Sequence, residues 1–519
     1  MHLVDEAGTV FAGAAAGREV LRRLPGGWLW ALPLRLPGAL ALADPIYGWI
    51  TRRWGPVPRR NGGPAISGSA SARAARAGAL TSTLSARYLW AKLRGLVAPR
   101  HRRAAIMDAY HLRSAEQVVE LMGNMKGLVM KLGQIMSFVS DDVPEQYRTV
   151  LRQLQTASPP MHFALARGVI EAELRAPLPE LFAAIDEEPM AAASIGQVHR
   201  ARLRSGEDVV VKVQYPGVDQ AIRADLTGMT LVNTLLGMMS PGLDAAAVGA
   251  ELRARLGEEL DYDREASNQR AFAELYDGHP FIRIPAVFPA HSSARVLTQQ
   301  FAGGHGYEWL LAQPPAYQQR IAEILFRFVF GSIFRFHLFN ADPHPGNYRF
   351  HADGAVTFLD FGCVKHFPAE MVADWMEIVR AHLRGDKAAF GRQAVRLGFL
   401  RPDSDVSLDA YFESVGYFYE PFAHDRDFTF TPEYNAQSFR VMFDRSHPVY
   451  GEVQRQLNLP PDFVLVNRLQ WGLNSILTQL HATANWHRIV REYLYGDPPS
   501  TELGRQSAAF RAAWRAART

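Results

Sequence analysis

Ala341-Asp342-Pro343-His344-Pro345-Gly346-Asn347 and, just behind it, Phe358-Leu359-Asp360-Phe361-Gly362 are the most informative stretches of the chain. Asp342 and Asn347 stand five positions apart, and Asp360 follows Asp342 by eighteen. An acid, an amide and a second acid at this pitch suit phosphoryl transfer: one Asp beside the reacting hydroxyl or water, the Asn and the second Asp on a metal ion, and a Gly for the turn. Asp342 is therefore the expected catalytic residue, with Asn347 and Asp360 the expected metal ligands. Two loop Asp residues capping turns would be the bland account; the joint occurrence of both motifs argues against it.

Upstream, the chain reads as a small β lobe. Ala191-Ala192-Ala193-Ser194-Ile195-Gly196-Gln197 leads into a strand, Arg204–Asp208 is a turn, and Val209-Val210-Val211-Lys212-Val213-Gln214 is a second strand. A small-residue loop followed by a Lys on the next strand is kinase-lobe architecture. Phosphates are expected under Ala191–Gly196, with Gln197 beside them and Lys212 reaching them as a point charge. Three Ala residues stand where a kinase carries its Gly-rich loop. A Cβ keeps the backbone from draping over phosphates, so the nucleotide geometry should differ from that of an ordinary protein kinase.

Glu258-Glu259-Leu260-Asp261-Tyr262-Asp263-Arg264-Glu265 should supply the acid that pairs with Lys212. On a regular helix Asp261 and Glu265 share a face and Glu259 lies nearly opposite Asp261, so one acid can face the nucleotide while another faces a neighbouring element. Glu265 is the expected partner of Lys212, and Glu259 stays open as the alternative. Residues 282–287 and 294–301 read as two more strands, Gly303-Gly304 as a hinge, and 317–337 as a long helix carrying Ile324, Leu325, Phe328, Ile333 and Phe334 to Asp342. A helix over 163–174, another over 216–238, and a C-terminal stripe of Leu465, Leu469, Leu473, Ile476, Leu477 and Leu480 complete the pattern. His481, Asn485 and His487 read as structural.

Composition is ordinary for a globular chain of 519 residues, with 48% hydrophobic and 21% charged residues. One cysteine, Cys363, excludes an internal disulfide framework and a multi-Cys zinc site, and reads as a small buried residue. Net charge is +4, yet residues 51–103 hold twelve Lys or Arg and no acid, which leaves the rest of the chain at −8. A basic arm on an acidic body points to an anionic surface. Trp54, Tyr88 and Trp90 are too few and too scattered there for a base-stacking platform, so nucleic acid is not expected as a partner. The apolar stretch Trp28–Ile50 is interrupted by Pro33, Arg35, Pro37, Asp44 and Pro45, which disfavours a spanning helix. Met1-His2-Leu3-Val4-Asp5-Glu6 lacks the basic start of a signal peptide, so a cytoplasmic protein, peripheral to a membrane, is the expectation.

A further helix is marked by Val118, Met122, Met125, Val129, Leu132 and Met136, and contains Lys131-Leu132-Gly133-Gln134. Its local pattern alone favours a solvent-facing Lys131 and Gln134. Taken together, the motifs resemble the UbiB/AarF family of atypical kinase-like proteins over about residues 105–485. Lys131–Gln134 resembles that family's KxGQ motif, Ala191–Gln197 its Ala-rich loop, Glu259-Leu260-Asp261 its ExD motif, and 342–347 with 360–362 its catalytic and metal motifs. The resemblance implies that Lys131, Gln134, Glu259 and Asp261 meet over the cleft and occlude a protein substrate. It also implies binding of ATP or ADP with Mg²⁺, ATPase activity, and support of isoprenoid-lipid metabolism of the ubiquinone type. Gln300 stands where the family usually has an acid.

The expected fold is α+β and bilobal, protein-kinase-like, with a helical extension over the cleft. The expected divisions are 1–53, a linker at 54–80, the helical extension at 81–175, a kinase-like N-lobe at 176–304 and a helical C-lobe at 305–519. Residues 1–53 resemble the C-terminal half of DCC-type thiol-disulfide oxidoreductases, without the Cys pair of that family. The alternative function is a nucleotide-binding pseudokinase acting as a lipid-binding scaffold.

Overall fold

The computed structural model describes residues 2–4, 10–12, 161–193, 195–219, 257, 260–340, 342, 344–443, 447–458 and 460–517. It divides into two units, Met1–Ser67 and Gly68–Thr519. In the first, β1 (His2–Val4) and β2 (Val10–Ala12) pair antiparallel, with Leu3 opposite Phe11. The linker, the helix carrying Lys131 and Gln134, the helix over 216–238, Ser194 and Glu259 lie outside the described residues.

The second unit opens on α1 (Phe163–Leu174) and α2 (Leu178–Leu181), followed by β3 (Phe182–Ile185), β4 (Ala191–Ala192), β5 (Gly196–Leu203) and β6 (Asp208–Gln214). With β8 (Val296–Gln300) these form an antiparallel five-stranded sheet in the order β3-β5-β6-β8, with β4 pairing β5. Alternation decides its faces. Val209, Val211, Val213 and Val296 pack with Ala166, Val169 and Ile170 of α1 in one core, so α1 belongs to the sheet it covers. The opposite face presents Lys212 towards α3 (Tyr262–Leu275).

The segment 282–287 departs from expectation. Its strand, β7 (Ile282–Arg283), pairs parallel with a C-lobe strand, and only Val287 keeps a bridge to Gln299 of β8. Pro285 and Pro289 lack the N–H that a continuous ladder needs, so the chain crosses between sheets here.

The C-lobe is built on α4 (Tyr307–Leu311) and α5 (Pro315–Phe336). Ile324, Leu325, Phe328, Ile333 and Phe334 of α5 are all buried in the main core. The helix stops where His337 turns left-handed at φ 56°, releasing β9 (Leu338–Asn340) into the loop that carries Asp342. β10 (Tyr348–Phe350), β11 (Val356–Phe358) and β12 (Val364–His366) follow. The rest is chiefly helical: α6 (Ala369–Leu383), α7 (Lys387–Arg396), α8 (Leu408–Ala423), α9 (Pro432–Phe443), α10 (Gly451–Gln456), α11 (Pro461–Gln479), α12 (Trp486–Leu494) and α13 (Glu502–Ala516). Leu473, Ile476, Leu477 and Leu480 are buried as the apolar stripe requires, while the side chains of Leu465 and Leu469 lie outside the described ones. No helix among the described residues is long and apolar enough to cross a membrane.

Candidate active site

The eighteen-residue spacing between Asp342 and Asp360 is the length of a β-hairpin. β10 and β11 pair antiparallel with Tyr348 opposite Phe358, so Asn347 and Leu359 meet at the open end, where Leu359 N donates to Asn347 O at 2.9 Å. Asp342 and Asn347 are bound to each other: Asn347 Nδ2 donates to Asp342 Oδ2 at 3.0 Å. That bond leaves the amide oxygen of Asn347 as its end turned away from Asp342. Asp360 Oδ1 accepts from Gly362 N at 2.9 Å, and a Cβ on Gly362 would stand 3.3 Å from the same oxygen. Glycine therefore lets the turn close on the carboxylate.

From the N-lobe, Lys212 Nζ donates to both carboxylate oxygens of Glu265, at 2.9 and 2.8 Å, and lies 3.8 Å from Asp360 Oδ2. The Lys212 ammonium also stands 4.9 Å from the centroid of the Tyr262 ring. Burial disfavours the charged ammonium, but Glu265 and Asp360 outweigh it and hold Lys212 well above the ordinary lysine value. Glu265, buried on helix α3, is the hydrogen-bonded partner of the strand lysine, with Asp360 the second acid beside it. The arrangement brings a cation, three hard oxygen groups and an aligned carboxylate to one interlobe seam, which is the equipment of phosphoryl transfer.

Residues 153–394 match the ABC1 atypical kinase-like domain. Over those residues the chain carries an ABC1 atypical kinase-like domain. It is 31% identical over 321 residues to the atypical kinase COQ8B, mitochondrial, of Rattus norvegicus, covering 61% of each chain. It is 32% identical over 322 residues to the atypical kinase COQ8, mitochondrial, of Saccharomyces cerevisiae, covering 61% of this chain and 64% of that one. The match thus spans less than two thirds of these relatives' length. Among solved structures, the complex of Rv3197 with erythromycin from Mycobacterium tuberculosis superposes with a TM-score of 0.54 at 29% identity, covering 77% of this chain and 98% of that one.

Within this kinase-like domain the Ala-rich loop differs from the sequence expectation. Ala191 and Ala192 are exposed residues of β4, paired with Val198 and Gln197, and Ala193 closes the turn to Gly196 through a 2.9 Å backbone bond. Gly196 is required by packing: a Cβ there would lie 2.2 Å from the Val213 carbonyl of β6. Gln197, expected on the nucleotide side, points into the lobe instead. Its side chain is fully buried, accepts from Met161 N at 2.9 Å and bonds His199 Nε2 at 2.8 Å, so it anchors the approach to α1. A carboxamide with these partners inside the lobe is not presented to a nucleotide.

Asp261 does not share a helical face with Glu265. It is the N-cap of α3, in extended backbone, and accepts from Arg264 N at 3.1 Å. Gln300 turns outward and accepts from Ala286 N at 3.4 Å, so its difference from an acid bears on the outer face of the hinge strand. His487 Nδ1 bonds Phe422 O at 2.6 Å, Asn485 caps α12, and Cys363 is buried in the main core, as the structural reading of these residues requires. His481 ends α11 at φ 44°.

Two amides were not singled out by sequence. Asn268 of α3 donates to Phe361 O at 3.0 Å. Asn340 donates to Asp360 O at 2.7 Å and accepts from Asp342 N at 3.4 Å. Asn268 stands three residues after Glu265, one turn along the same face, which is the signal that would have found it.

Proposed function

We propose that the domain binds ATP or ADP with Mg²⁺ and hydrolyses ATP, in support of isoprenoid-lipid metabolism of the ubiquinone type at a membrane surface. The observation that carries the reading is the joined pair of ion pairs at one seam, Lys212 with Glu265 and Asp360, beside the Asp342–Asn347 bond. Relatives named atypical kinases support it.

In this reading Glu265 holds the Lys212 ammonium extended so that its remaining donor capacity faces the phosphates. Asp342 orients the attacking water or hydroxyl, with Asn347 fixing its carboxylate. Asn347 and Asp360 hold the metal; an amide oxygen and a carboxylate are the hard donors that Mg²⁺ takes. Bound there, Mg²⁺ neutralises charge developing on the phosphates. The β4 turn carries Cβ groups at Ala191 and Ala192 where a glycine loop would cover phosphates, which favours water or a small substrate over a protein hydroxyl. Membrane contact is assigned to the basic residues 51–103.

The test is phosphate release from MgATP by the full chain, with and without anionic liposomes and a quinone-precursor mimic. Release above the background of Asp360→Asn, increased by the liposomes, is the expected result. No release above that background overturns the hydrolytic reading, and release that liposomes leave unchanged overturns the membrane part.

A further inference from the structure

One polar side chain on the inner face of the sheet is not accounted for by the groups above. Along β6 and β8 the register sets Lys212 opposite Leu297 and Val210 opposite Gln299. Cross-strand partners share a face and residues two apart share a face, so Gln299 projects to the side of Lys212, away from the α1 core. It lies two residues along from the Lys212–Leu297 pair, roughly 7 Å at the rise of a strand, towards Phe301 and the crossing into the C-lobe.

Gln299 is 8% exposed, and its Oε1 is buried with no donor. The neighbouring polar side chains of β8 are used differently: Thr298 donates to His291 O at 2.5 Å, and Gln300 accepts from Ala286 N. Gln269, four residues after Glu265 on α3, does not supply the missing donor. Its Nε2 is spent on Pro285 O at 2.7 Å, and its own Oε1 also lacks a donor. Val210 and Leu297, which flank Gln299 on its face, are apolar. A buried acceptor without a donor destabilises the fold until a partner presents one.

We propose that Gln299 selects the base of the bound nucleotide, its Oε1 accepting a hydrogen bond from an exocyclic amine on a purine. The inference rests on the nucleotide reading above. With the phosphates at Lys212, the base extends towards the hinge end of β8, where this acceptor waits. A 6-aminopurine supplies the donor, an unsubstituted purine supplies none, and a 6-oxopurine sets a second acceptor against the first.

The experiment measures binding of the Mg²⁺ complexes of ATP, purine riboside triphosphate and inosine triphosphate to the full chain by calorimetry. Gln299→Leu and the unbranched Gln299→Met are run beside the wild type, with melting of the nucleotide-free proteins as the folding control. The wild type is expected to bind ATP about five- to tenfold more tightly than purine riboside triphosphate, the worth of one neutral hydrogen bond. In the variants the gap closes to about twofold through loss of ATP affinity, while purine riboside triphosphate binds as before. If Gln299→Leu does not fold, Gln299→Met gives the comparison. A gap that persists in the folded variant overturns the assignment, as does equal binding of the three nucleotides by the wild type. A wild type that binds none of them overturns the nucleotide reading itself.

Discussion

Asn268 Nδ2 donates to the Phe361 carbonyl at 3.0 Å, one helical turn beyond the Glu265 carboxylate that grips Lys212. A single face of α3 thus sets both Lys212 and the Asp-Phe-Gly backbone. The ring of Phe361, fully buried, packs against Phe272 of the same helix with centroids 5.0 Å apart. From the C-lobe side Asn340 holds the Asp360 carbonyl. Asn268→Ala is expected to leave Phe361 O unsatisfied, at a cost of about 1–3 kcal/mol in stability. MgATP turnover should fall further than the melting temperature suggests, because Asp360 loses its support. Denaturant melts and phosphate release on the same samples check this; wild-type turnover in a destabilised variant would oppose it.

Asp360→Asn is expected to abolish Mg-nucleotide binding. The amide keeps the acceptor that Gly362 N uses but removes the negative charge that faces Lys212 and the metal. Thermal stabilisation by MgATP or MgADP should vanish in the variant. A shift equal to the wild type would sink the assignment of Asp360 as a metal ligand.

Glu265→Gln breaks the Lys212 pair and leaves a largely buried ammonium with Asp360 as its charged neighbour. Removing one member of a buried pair typically costs about 3–5 kcal/mol, and the partial exposure of Lys212 places this variant at or below the lower end. The pH dependence has a defined sign. The Lys212 value is raised in the folded state, so its contribution is complete below the ordinary lysine value of 10.5 and is lost as pH rises through the higher folded value. Stability of the wild type should therefore show no Lys212 transition between pH 6 and about 9. A lysine transition in that window, detected by melting temperature and absent from Lys212→Met, would contradict the ion pair.

Gly196→Ala tests the packing of β5 on β6. The added Cβ would meet the Val213 carbonyl at 2.2 Å, and a backbone atom has little freedom to retreat. Overpacking of this kind costs about 1–3 kcal/mol and shifts β6, which carries Lys212. Lower stability together with weaker nucleotide binding is expected. A variant as stable as the wild type would show that the strands separate freely.

His279 gives an acid-side prediction. Burial, helped by Arg511 and Arg335, pushes it down to about 3, and its Nδ1 accepts from Phe281 N and Ile282 N. The unfolded chain takes up this proton near pH 6.5 while the folded chain resists it, so stability is present above about 6.5 and is lost as pH falls towards 3. The melting temperature should drop across that range, and His279→Gln should flatten the drop. An unchanged acid profile in that variant would remove His279 from the account.

Much of this was legible in the residue order. The motifs at 342–347 and 360–362, the lysine strand, α1 and α5 are local patterns, and spacing or periodicity of a few residues defines them. The parts that differ share one physical cause. Gln197 follows the Ala-rich loop in the chain, yet it turns inward to Met161, thirty-six residues earlier. Asp261 precedes the helix that its spacing suggests it lies on, because a cap and a first turn have the same spacing. The segment 282–287 reads as a strand, yet only Ile282–Arg283 forms one and it joins β11, since β propensity says nothing about which edge a strand joins.

Residue order supplies the available chemistry: an acid, an amide and a second acid at fixed pitch, a lysine between valines, a basic segment apart from them. The tertiary structure alone decided which groups meet. Glu265 and Lys212 are 53 residues apart in the chain, and Asn268 and Phe361 are 93 apart. Such pairs are selected by the summed packing of α3 between the sheet and the C-lobe core, which no local window contains. The same packing placed Gln299 on the inner face with its oxygen unpartnered, a condition written in the register of β6 and β8 rather than in either strand.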